Sequence, residues 1–281
     1  MAQDTVFSQK IERIFDQRST PLIMGILNVT PDSFFDGGKY AEEQHWLAHT
    51  KEMIEAGADL IDVGAYSTRP GAKNISETEE LERLIKVLVS LRKNFPDLLI
   101  SVDTFRANVA EQAVAVGANI INDISGGTMD FKMFETIAKL DVPYVLMHIQ
   151  GTPETMQQNP HYSNVVEEVH SFFQENLKKL KELGVTKIIL DPGFGFGKTV
   201  EHNFQLLKNL NRFQDFKLPI LAGISRKSMI NKLLNISSKD SVNGTSILNT
   251  IALKNGANIL RVHDVKEAKE VVKVFEYLRT I

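Results

Sequence analysis

The sequence lacks cysteine altogether, contains one tryptophan and has little excess of charge of either sign. Without cysteine, a disulfide framework, a thiolate nucleophile and a cysteine-ligated zinc or iron–sulfur centre are all excluded. A formal net charge of −3 over 281 residues provides no general attraction to nucleic acid, so we expect no nucleic-acid partner. Any anionic ligand therefore has to be bound by a local cluster of cations.

Long hydrophobic runs are also missing. No apolar stretch approaches the roughly 18 residues needed to span a bilayer, and the first residues lack the basic-then-apolar pattern of a signal peptide. The hydrophobic fraction of 43% and the charged fraction of 24% are ordinary for a globular protein. We therefore expect a cytoplasmic protein without a membrane partner.

Short apolar runs of strand length alternate with segments whose apolar residues have helical spacing. The runs occupy residues 22–27, 60–63, 98–102, 119–122, 144–147, 188–190, 219–222 and 259–262. Such alternation favours a parallel sheet that is buried on both faces. Eight units about 30 residues apart, after a short N-terminal leader, fit an α/β fold of the (β/α)8 TIM-barrel type, although an open doubly wound sheet can also have eight strands. No linker divides the chain, so one domain is predicted over residues 1–281.

Capping signals mark the ends of several predicted helices. Ser76 with Glu79, and Asp264 with Glu267, have the spacing of a capping box before apolar helical segments. Gly184 follows another helical pattern and suits a helix C-terminus. These signals predict two helix starts and one helix end.

Each predicted strand is followed by a polar or charged residue. In a barrel these positions meet at the carboxyl ends of the strands, where active sites are built. A single aspartate at such a position is a helix N-cap about as often as it is a functional residue. Eight successive strands that end in polar residues are hard to explain by capping alone. The residues are Asn28, Asp62, Asp103, Asn122, His148, Asp191, the segment Ser225-Arg226-Lys227, and Arg261 with His263.

The chemical types at these positions indicate a class of ligand. Carboxylates and amides offer coplanar acceptors and donors to a flat heterocycle that carries N–H groups and a carbonyl. The converging cations are Lys227, Arg261 and Arg69. Arginine, histidine such as His263 and an asparagine suit phosphate oxygens or a metal–phosphate pair. We therefore expect a nucleotide-like or pterin-like ring that bears a phosphate group.

A glycine-rich segment over residues 191–198, DPGFGFGK, superficially resembles a phosphate loop. It fails the Walker A pattern because Pro192 stands where the first glycine belongs, and it fails the dinucleotide pattern because Lys198 replaces the third glycine. We interpret it as a tight loop that lets a ring lie between its backbone and Phe196.

Two other loops also have features of a binding site. The segment 30–38 reads as a surface turn or as a lid over substrate, and the lid better explains why it contains Phe34 and Phe35. After the seventh strand, Ser228 and the backbone of the helix that follows suit a carboxylate, although Ser225 or Ser228 can instead cap that helix.

Taken in order, these motifs resemble those of the dihydropteroate synthases. The matching stretches, over about residues 22–265, are GILNVTPDSFFDGG, DVGAYSTRPGA, SVDTF, INDISGG, LMHIQGTPETMQ, ILDPGFGFGK, GISRKSMI and RVHDV. The resemblance implies a transferase of folate biosynthesis that condenses 6-hydroxymethyl-7,8-dihydropterin pyrophosphate with p-aminobenzoate to 7,8-dihydropteroate and pyrophosphate. It also implies Mg²⁺ as cofactor, a homodimer, and a target for sulfonamides that mimic p-aminobenzoate.

The resemblance further implies a role for each residue of the site. The pterin ring would be held by Asp103, Asn122, Asp191, Lys227 and Arg261. The pyrophosphate would be bound by Asn28, Arg69, Arg261 and His263, with Asn28 also a ligand of Mg²⁺. p-Aminobenzoate would contact Phe34, Thr68, Phe196, Lys227 and Ser228. The catalytic set would be Asp36, Asp103, Asp191, Lys227 and Arg261.

The implied reaction is a substitution at the pterin methylene, in which pyrophosphate leaves and the arylamine attacks. Mg²⁺, Arg261 and His263 would stabilise the leaving group, while Asp36, Asp103 and Asp191 would stabilise positive charge on the pterin. No activated nucleophile is needed, which agrees with the lack of cysteine.

Some positions depart from the commonest family pattern. Ala65 and Tyr66 stand where glycine and glutamate are expected, and Ile149 replaces a frequent methionine. These changes lie beside the implied site residues, so they bear on the packing of the second loop more than on activity. No kinase-like extension is seen, which suggests a monofunctional chain.

Two alternatives stay open from the sequence. A methyltetrahydrofolate-dependent methyltransferase with a corrinoid partner would share the residues that grip the ring, and an inactive paralogue would bind pterin alone. Against the methyltransferase stand Lys227, Arg261, His263 and the loop NVTPDSF, which favour an enzyme that releases pyrophosphate. Against the inactive paralogue stand Asn28, Asp36, Arg69 and Arg261, because binding alone needs no groups for a leaving group.

Overall fold

Parallel strands alternate with helices along the residues that the computed structural model describes, which are 2–16, 18–29, 39–66 and 74–281. The strands are β1 (Leu22–Asn28), β2 (Leu60–Gly64), β3 (Leu99–Asp103), β4 (Ile120–Asp123), β5 (Tyr144–Met147), β6 (Ile188–Asp191), β7 (Leu221–Ala222) and β8 (Ile259–Val262). The α-helices are α1 (Ala2–Phe15), α2 (Lys39–Ala56), α3 (Glu77–Asn94), α4 (Ala107–Ala115), α5 (Met133–Leu140), α6 (Val165–Glu182), α7 (Val200–Lys208), α8 (Ser228–Leu234), α9 (Val242–Lys254) and α10 (Val265–Thr280). Short 3₁₀ helices occupy Leu210–Phe216 and Ser238–Asp240.

The sheet closes on itself. Its strand order is β6-β5-β4-β3-β2-β1-β8-β7, and each hydrogen-bonded pair is parallel. A parallel bridge between Leu190 and Ile220 joins the two outer strands, β6 and β7. The predicted (β/α)8 barrel is therefore confirmed, and the open doubly wound sheet is wrong.

The seventh strand is shorter than the sequence predicts. The ladder covers only Leu221 and Ala222 of the predicted run 219–222. Pro219 has no N–H group to donate to a ladder, and the N–H of Ile220 donates to Asn258 Oδ1 at 2.9 Å. The apolar run is long enough for a full strand, but the carbonyl groups of its first half accept backbone hydrogen bonds while no N–H group there donates to a neighbouring strand's backbone.

The N-terminal leader forms helix α1, which covers the amino-terminal end of the barrel. Phe7, Ile11 and Phe15 pack on a buried cluster that includes Ile14 of the same helix. The rest of this cluster comes from inward-facing strand residues: Leu22, Met24, Leu60, Leu99, Ile120, Val145, Ile189, Leu221 and Ile259. This apolar layer fills the lower barrel, so polar groups gather at the carboxyl end.

The predicted helix ends are mostly confirmed. The Ser76 hydroxyl accepts the N–H of Glu79 at 3.2 Å, and Gly184 has a φ of 81° just beyond α6. The predicted capping box at Asp264 is wrong, because its side chain makes no capping hydrogen bond. Its carboxylate instead accepts from Nε of Arg226 at 2.9 Å. None of the described helices is long and apolar enough to cross a membrane.

Candidate active site at the carboxyl end of the barrel

Arg261 of β8 lies between two carboxylates at the centre of the barrel. Its Nε is 2.7 Å from Oδ2 of Asp62, and its second terminal nitrogen is 3.0 Å from Oδ2 of Asp103. Burial opposes the charge on the guanidinium, but Asp62 and Asp103 outweigh this effect and raise the pKa of Arg261. Arg261 is thus a fixed cation at the mouth of the barrel.

Asp62 and Asn122 are joined across the barrel. Nδ2 of Asn122 donates to Oδ2 of Asp62 at 2.9 Å, so this one oxygen accepts from Asn122 as well as from Arg261. The side chain of Asp62 is wholly buried, and Asn122 is 2% exposed. Oδ1 of Asn122 and Oδ1 of Asp62 have no hydrogen-bond partner among the described residues. The site therefore contains buried acceptors that the protein does not satisfy.

Three titratable groups beside Arg261 have displaced pKa values. Burial raises the pKa of Asp103 to about 7, although Arg261 opposes the shift. Burial also raises the pKa of Asp191, whose Oδ1 accepts the N–H of Gly193 at 2.7 Å. Burial and then Arg261 lower the pKa of Lys227 to about 8. Such shifts near neutral pH cluster at functional sites.

The glycine-rich loop after β6 runs close to β5 and to Lys227. A Cβ atom on Gly193, whose φ is 70°, would lie 1.9 Å from the carbonyl oxygen of His148. A Cβ on Gly195 would lie 3.0 Å from Cδ of Lys227. Nζ of Lys227 is 4.1 Å from the centre of the Phe196 ring, a cation–π contact. The glycines are therefore needed for close approach, as the sequence indicates.

Lys198, the residue that breaks the dinucleotide pattern, binds this loop from within. Its Nζ lies 2.9 Å from Nδ1 of His148 and 3.0 Å from the carbonyl oxygens of Gly193 and Phe196. The ring of His148 also packs edge-on against Phe172 of α6 at 5.0 Å. His148 therefore lies directly after β5, at the strand end that the sequence predicts, with Nδ1 of its ring against Lys198.

His263 is held by Ser225. The N–H of His263 donates to the Ser225 hydroxyl at 3.1 Å, and the same hydroxyl oxygen is 3.1 Å from Nδ1 of the ring. Burial and then Arg261 lower the pKa of His263 to about 4. The ring is therefore neutral at neutral pH. In the tautomer in which the Ser225 hydroxyl donates to Nδ1, the remaining ring nitrogen, Nε2, carries a proton that it can donate.

Asn28 at the end of β1 and Asp103 at the end of β3 lie in register on either side of Gly64. A Cβ on Gly64 would be 3.7 Å from Oδ2 of Asp103 and 3.8 Å from Oδ1 of Asn28, so the glycine keeps the space between them open. Ser228 is exposed at the first position of α8, directly after Lys227. The described residues contain no group of three or more His, Cys, Asp or Glu side chains that could hold a metal ion.

Four residues assigned from the resemblance lie outside the described residues: Phe34, Asp36, Thr68 and Arg69. The departure at Tyr66 is visible beside them. The Tyr66 ring packs edge-on against Phe105 with centroids 5.1 Å apart, and its hydroxyl donates to Asn74, which in turn donates to Glu154. The unusual tyrosine thus has its own packing and hydrogen-bond partners.

The sequence assignments left out several residues that build the site. Asp62 and Ser225 have strand-end positions, but their contacts with Asn122, Arg261 and His263 join strands that are distant in sequence. An apolar cluster packs around Phe196, with Tyr66 against it; its other members are Phe105, Ile124, Met147, Ile149 and Met156. Only Asp62 and Met147 of this set lie on strands; the others lie in the loops that follow, where the alternation of a strand gives no signal.

Comparison with known proteins agrees with the site. The model of the "Pterin binding enzyme" family matches residues 24–263. The dihydropteroate synthase of Escherichia coli (strain K12) is 46% identical over 92% of this chain and 92% of its own. That of Haemophilus influenzae is 45% identical over 92% of this chain and 94% of its own.

Solved structures give the same result. The Yersinia pestis dihydropteroate synthase in a sulfonamide drug complex has a TM-score of 0.87 and 44% identity, covering 93% of this chain and 95% of that one. The Xanthomonas albilineans dihydropteroate synthase in complex with 7,8-dihydropteroate has a TM-score of 0.84 and 37% identity, with 95% of each chain covered. The chain therefore belongs to the pterin-binding enzyme family and, within it, to the dihydropteroate synthases, which are transferases.

Proposed function

We propose that this chain condenses 6-hydroxymethyl-7,8-dihydropterin pyrophosphate with p-aminobenzoate to give 7,8-dihydropteroate and pyrophosphate. The bond from the pterin methylene to the pyrophosphate oxygen breaks, and a bond to the arylamine nitrogen forms. The observation that carries the proposal is the cluster at the barrel mouth, where Arg261 and Lys227 lie among buried acceptors and carboxylates. The family membership supplies the identity of the substrates.

The pterin ring is assigned to Asp103, Asn122, Asp191, Lys227 and Arg261. The ring edge carries amino and N–H donors, and the unpaired Oδ1 of Asn122 with the two carboxylates offers matching acceptors. Lys227 supplies a donor for the ring carbonyl. Because the donors and acceptors are fixed before the substrate arrives, little reorganisation is needed when it binds.

Departure of pyrophosphate is assigned to Asn28, Arg261 and His263. Arg261 offers a permanent positive charge, and neutral His263 donates from Nε2 without an added proton. As the pyrophosphate leaves, positive charge grows on the pterin, and the ionised forms of Asp103 and Asp191 stabilise it. The site therefore contains groups of opposite charge for the two parts of a dissociating substrate.

Mg²⁺ is proposed as the cofactor, with Asn28 as its protein ligand. Mg²⁺ prefers oxygen ligands, keeps several waters and is often held by one or two protein oxygens together with substrate phosphates. Oδ1 of Asn28, which lies beside Gly64 at the end of β1, is an oxygen ligand of this kind. When bound, Mg²⁺ supplies charge neutralisation to the departing pyrophosphate.

p-Aminobenzoate is assigned to Phe196, Lys227 and Ser228. The Phe196 ring offers an apolar face, while the amino group of Lys227 and the exposed hydroxyl of Ser228 suit the carboxylate. The resemblance adds Phe34 and Thr68 to this pocket, Arg69 to the pyrophosphate site and Asp36 to the catalytic set. Sulfonamides would compete at the same pocket.

A homodimer is proposed through helices α8, α9 and α10. Adjacent packed helices expose many large apolar side chains, and apolar patches of this kind mark association surfaces. They are Leu233, Leu234, Ile247, Ile251, Val274, Tyr277 and Leu278. Ile251→Lys with Tyr277→Lys should give a monomer in light scattering after gel filtration, whereas Val89→Lys on α3 should leave the dimer intact. Dimers that persist in the double variant would exclude this surface.

Two further assignments rest on the sequence pattern alone. A cytoplasmic location stays a prediction from the short apolar runs of the chain. The single domain over residues 1–281 stays a prediction.

The enzymatic proposal is tested by measuring pyrophosphate release from the pterin pyrophosphate, with p-aminobenzoate and Mg²⁺ each supplied or left out. Release that requires both supports the proposal. A folded protein that binds the pterin but releases no pyrophosphate would point to an inactive pterin-binding protein. Asp191→Asn should weaken pterin binding in calorimetry, and unchanged affinity would remove Asp191 from the ring site.

A further inference from the structure

Asp62 has no place in the assignments above, although it contacts two of their members. Its Oδ2 accepts from Nδ2 of Asn122 at 2.9 Å and from Nε of Arg261 at 2.7 Å. The three residues lie on β2, β4 and β8, so one wholly buried carboxylate connects separate parts of the barrel mouth. We propose that Asp62 is a positioning residue: it determines which atoms of the pterin site donate hydrogen bonds to the ring and which accept them. This inference rests on the proposed function.

The amide of Asn122 has one favourable orientation next to Asp62. If the amide were flipped, its oxygen would face a carboxylate oxygen at hydrogen-bond distance, and two acceptors would repel each other. Nδ2 therefore points to Asp62, which leaves Oδ1 as a buried acceptor without a partner in the described part of the chain. An unsatisfied buried acceptor favours a ligand that supplies a donor.

The same carboxylate keeps Arg261 in place when substrate binds. Arg261 is held at Nε by Asp62 and at a terminal nitrogen by Asp103. A ring donor that binds Asp103 competes for that carboxylate, but it leaves the contact with Asp62 intact. Asp62 thus fixes the amide of Asn122 and the guanidinium of Arg261, and the free oxygen of Asn122 and the carboxylate of Asp103 form an edge of acceptors beside that cation. Such an edge matches the exocyclic amino group of a pterin.

Pterin and lumazine are suitable probes because they share a bicyclic ring but differ at this group. Lumazine has an oxygen in place of the amino group, so an acceptor replaces a donor. The wild-type protein should therefore bind pterin about 10- to 100-fold more tightly than lumazine in calorimetry. A general loosening of the site would weaken both ligands alike and leave the ratio of their affinities unchanged.

Two substitutions separate the acceptor of Asp62 from its charge. Asp62→Leu removes both, so the Asn122 amide can turn. Pterin should then bind no more than about 3-fold more tightly than lumazine. Asp62→Asn keeps an acceptor for Asn122 and Arg261. Its new amino group would take the place of Oδ1, which has no partner among the described residues. Asp62→Asn should therefore retain the preference for pterin.

Ser101→Ala is the matched control, since it removes a neighbouring buried hydroxyl without touching Asn122 or Arg261, and its ratio should equal that of the wild type. If Asp62→Asn loses the preference for pterin over lumazine as Asp62→Leu does, only the charge of Asp62 matters, and that result overturns the inference. An unchanged ratio in Asp62→Leu would do the same. If Asp62→Leu does not fold, Asp62→Asn still decides between acceptor and charge. Failure of the wild-type protein to bind any pterin would instead overturn the proposed function.

Discussion

Removal of the Arg261 guanidinium should destabilise the ligand-free protein as well as abolish turnover. The side chains of Asp62 and Asp103 are 0% and 14% exposed, and Arg261 is 16% exposed, so the three charges are largely shielded from water. Removing one partner of such a buried pair typically costs about 3–5 kcal/mol, because the remaining charge is left without compensation. We expect a loss of this size in the free energy of unfolding of Arg261→Gln at pH 8.

The loss should depend on pH in a defined direction. The pKa of Asp103 is already raised to about 7 by burial while Arg261 opposes the rise, so removing Arg261 raises it further. A carboxyl group whose folded-state pKa lies above its unfolded value destabilises the fold when it is ionised, at high pH, and this penalty falls on protonation. The difference in stability between wild type and Arg261→Gln should therefore shrink between pH 8 and pH 5.5.

Urea unfolding at pH 5.5, 7 and 8 measures this difference. Arg279→Gln is the control, since Arg279 pairs with Glu276 at the surface and its loss should cost no more than about 0.5 kcal/mol. Adding Asp62→Asn to Arg261→Gln should recover part of the stability, because one uncompensated carboxylate is removed. A loss below about 1 kcal/mol at pH 8, or one independent of pH, would refute the account of Arg261 as a shielded counter-ion.

Other expectations concern His263 and the glycine-rich loop. The His263 ring should titrate near pH 4 in NMR, and stability should fall as the pH drops from 6.5 towards 4, because the unfolded chain takes up the proton first; a titration near 6.5 would contradict this. Gly193→Ala should lower the free energy of unfolding, measured in urea, by well over about 1 kcal/mol, because the new methyl group clashes with the His148 carbonyl and the backbone φ is positive. Gly184→Ala is the control: it has open space around it, so its loss should come only from the strain of a positive φ, about 1 kcal/mol. Lys198→Met should cost about 1–3 kcal/mol in the same assay because buried acceptors lose their donor, and an unchanged midpoint would contradict that role.

Most of the barrel could be predicted from the sequence for a physical reason. Strands of a parallel sheet are buried on both faces, so their apolar runs are continuous and their ends coincide with polar residues. Seven of the predicted strands agree with the structure to within one residue at each end. The exception, β7, depends on the missing N–H of Pro219 and on a side-chain acceptor from Asn258, which an apolar pattern does not reveal.

The candidate site was predicted in its composition more than in its connections. Strand ends identified Asp103, Asn122, Asp191 and Arg261, but a residue's position along a strand does not say which hydrogen bonds it makes. The contact between Asp62 and Arg261 spans 199 positions in the chain, and it exists only because the barrel closes. The sequence predicted a leader before the first strand, but that it forms helix α1 and lies beneath the barrel follows only from the assembled strands.

The central claim is most directly tested by the stoichiometry of the reaction. Purified protein would be incubated with pterin pyrophosphate, p-aminobenzoate and Mg²⁺, and 7,8-dihydropteroate would be quantified by mass spectrometry against the pyrophosphate released. The account predicts one molecule of dihydropteroate for each pyrophosphate. Release of pyrophosphate without dihydropteroate, or formation of neither by a folded protein that binds the pterin, would contradict it.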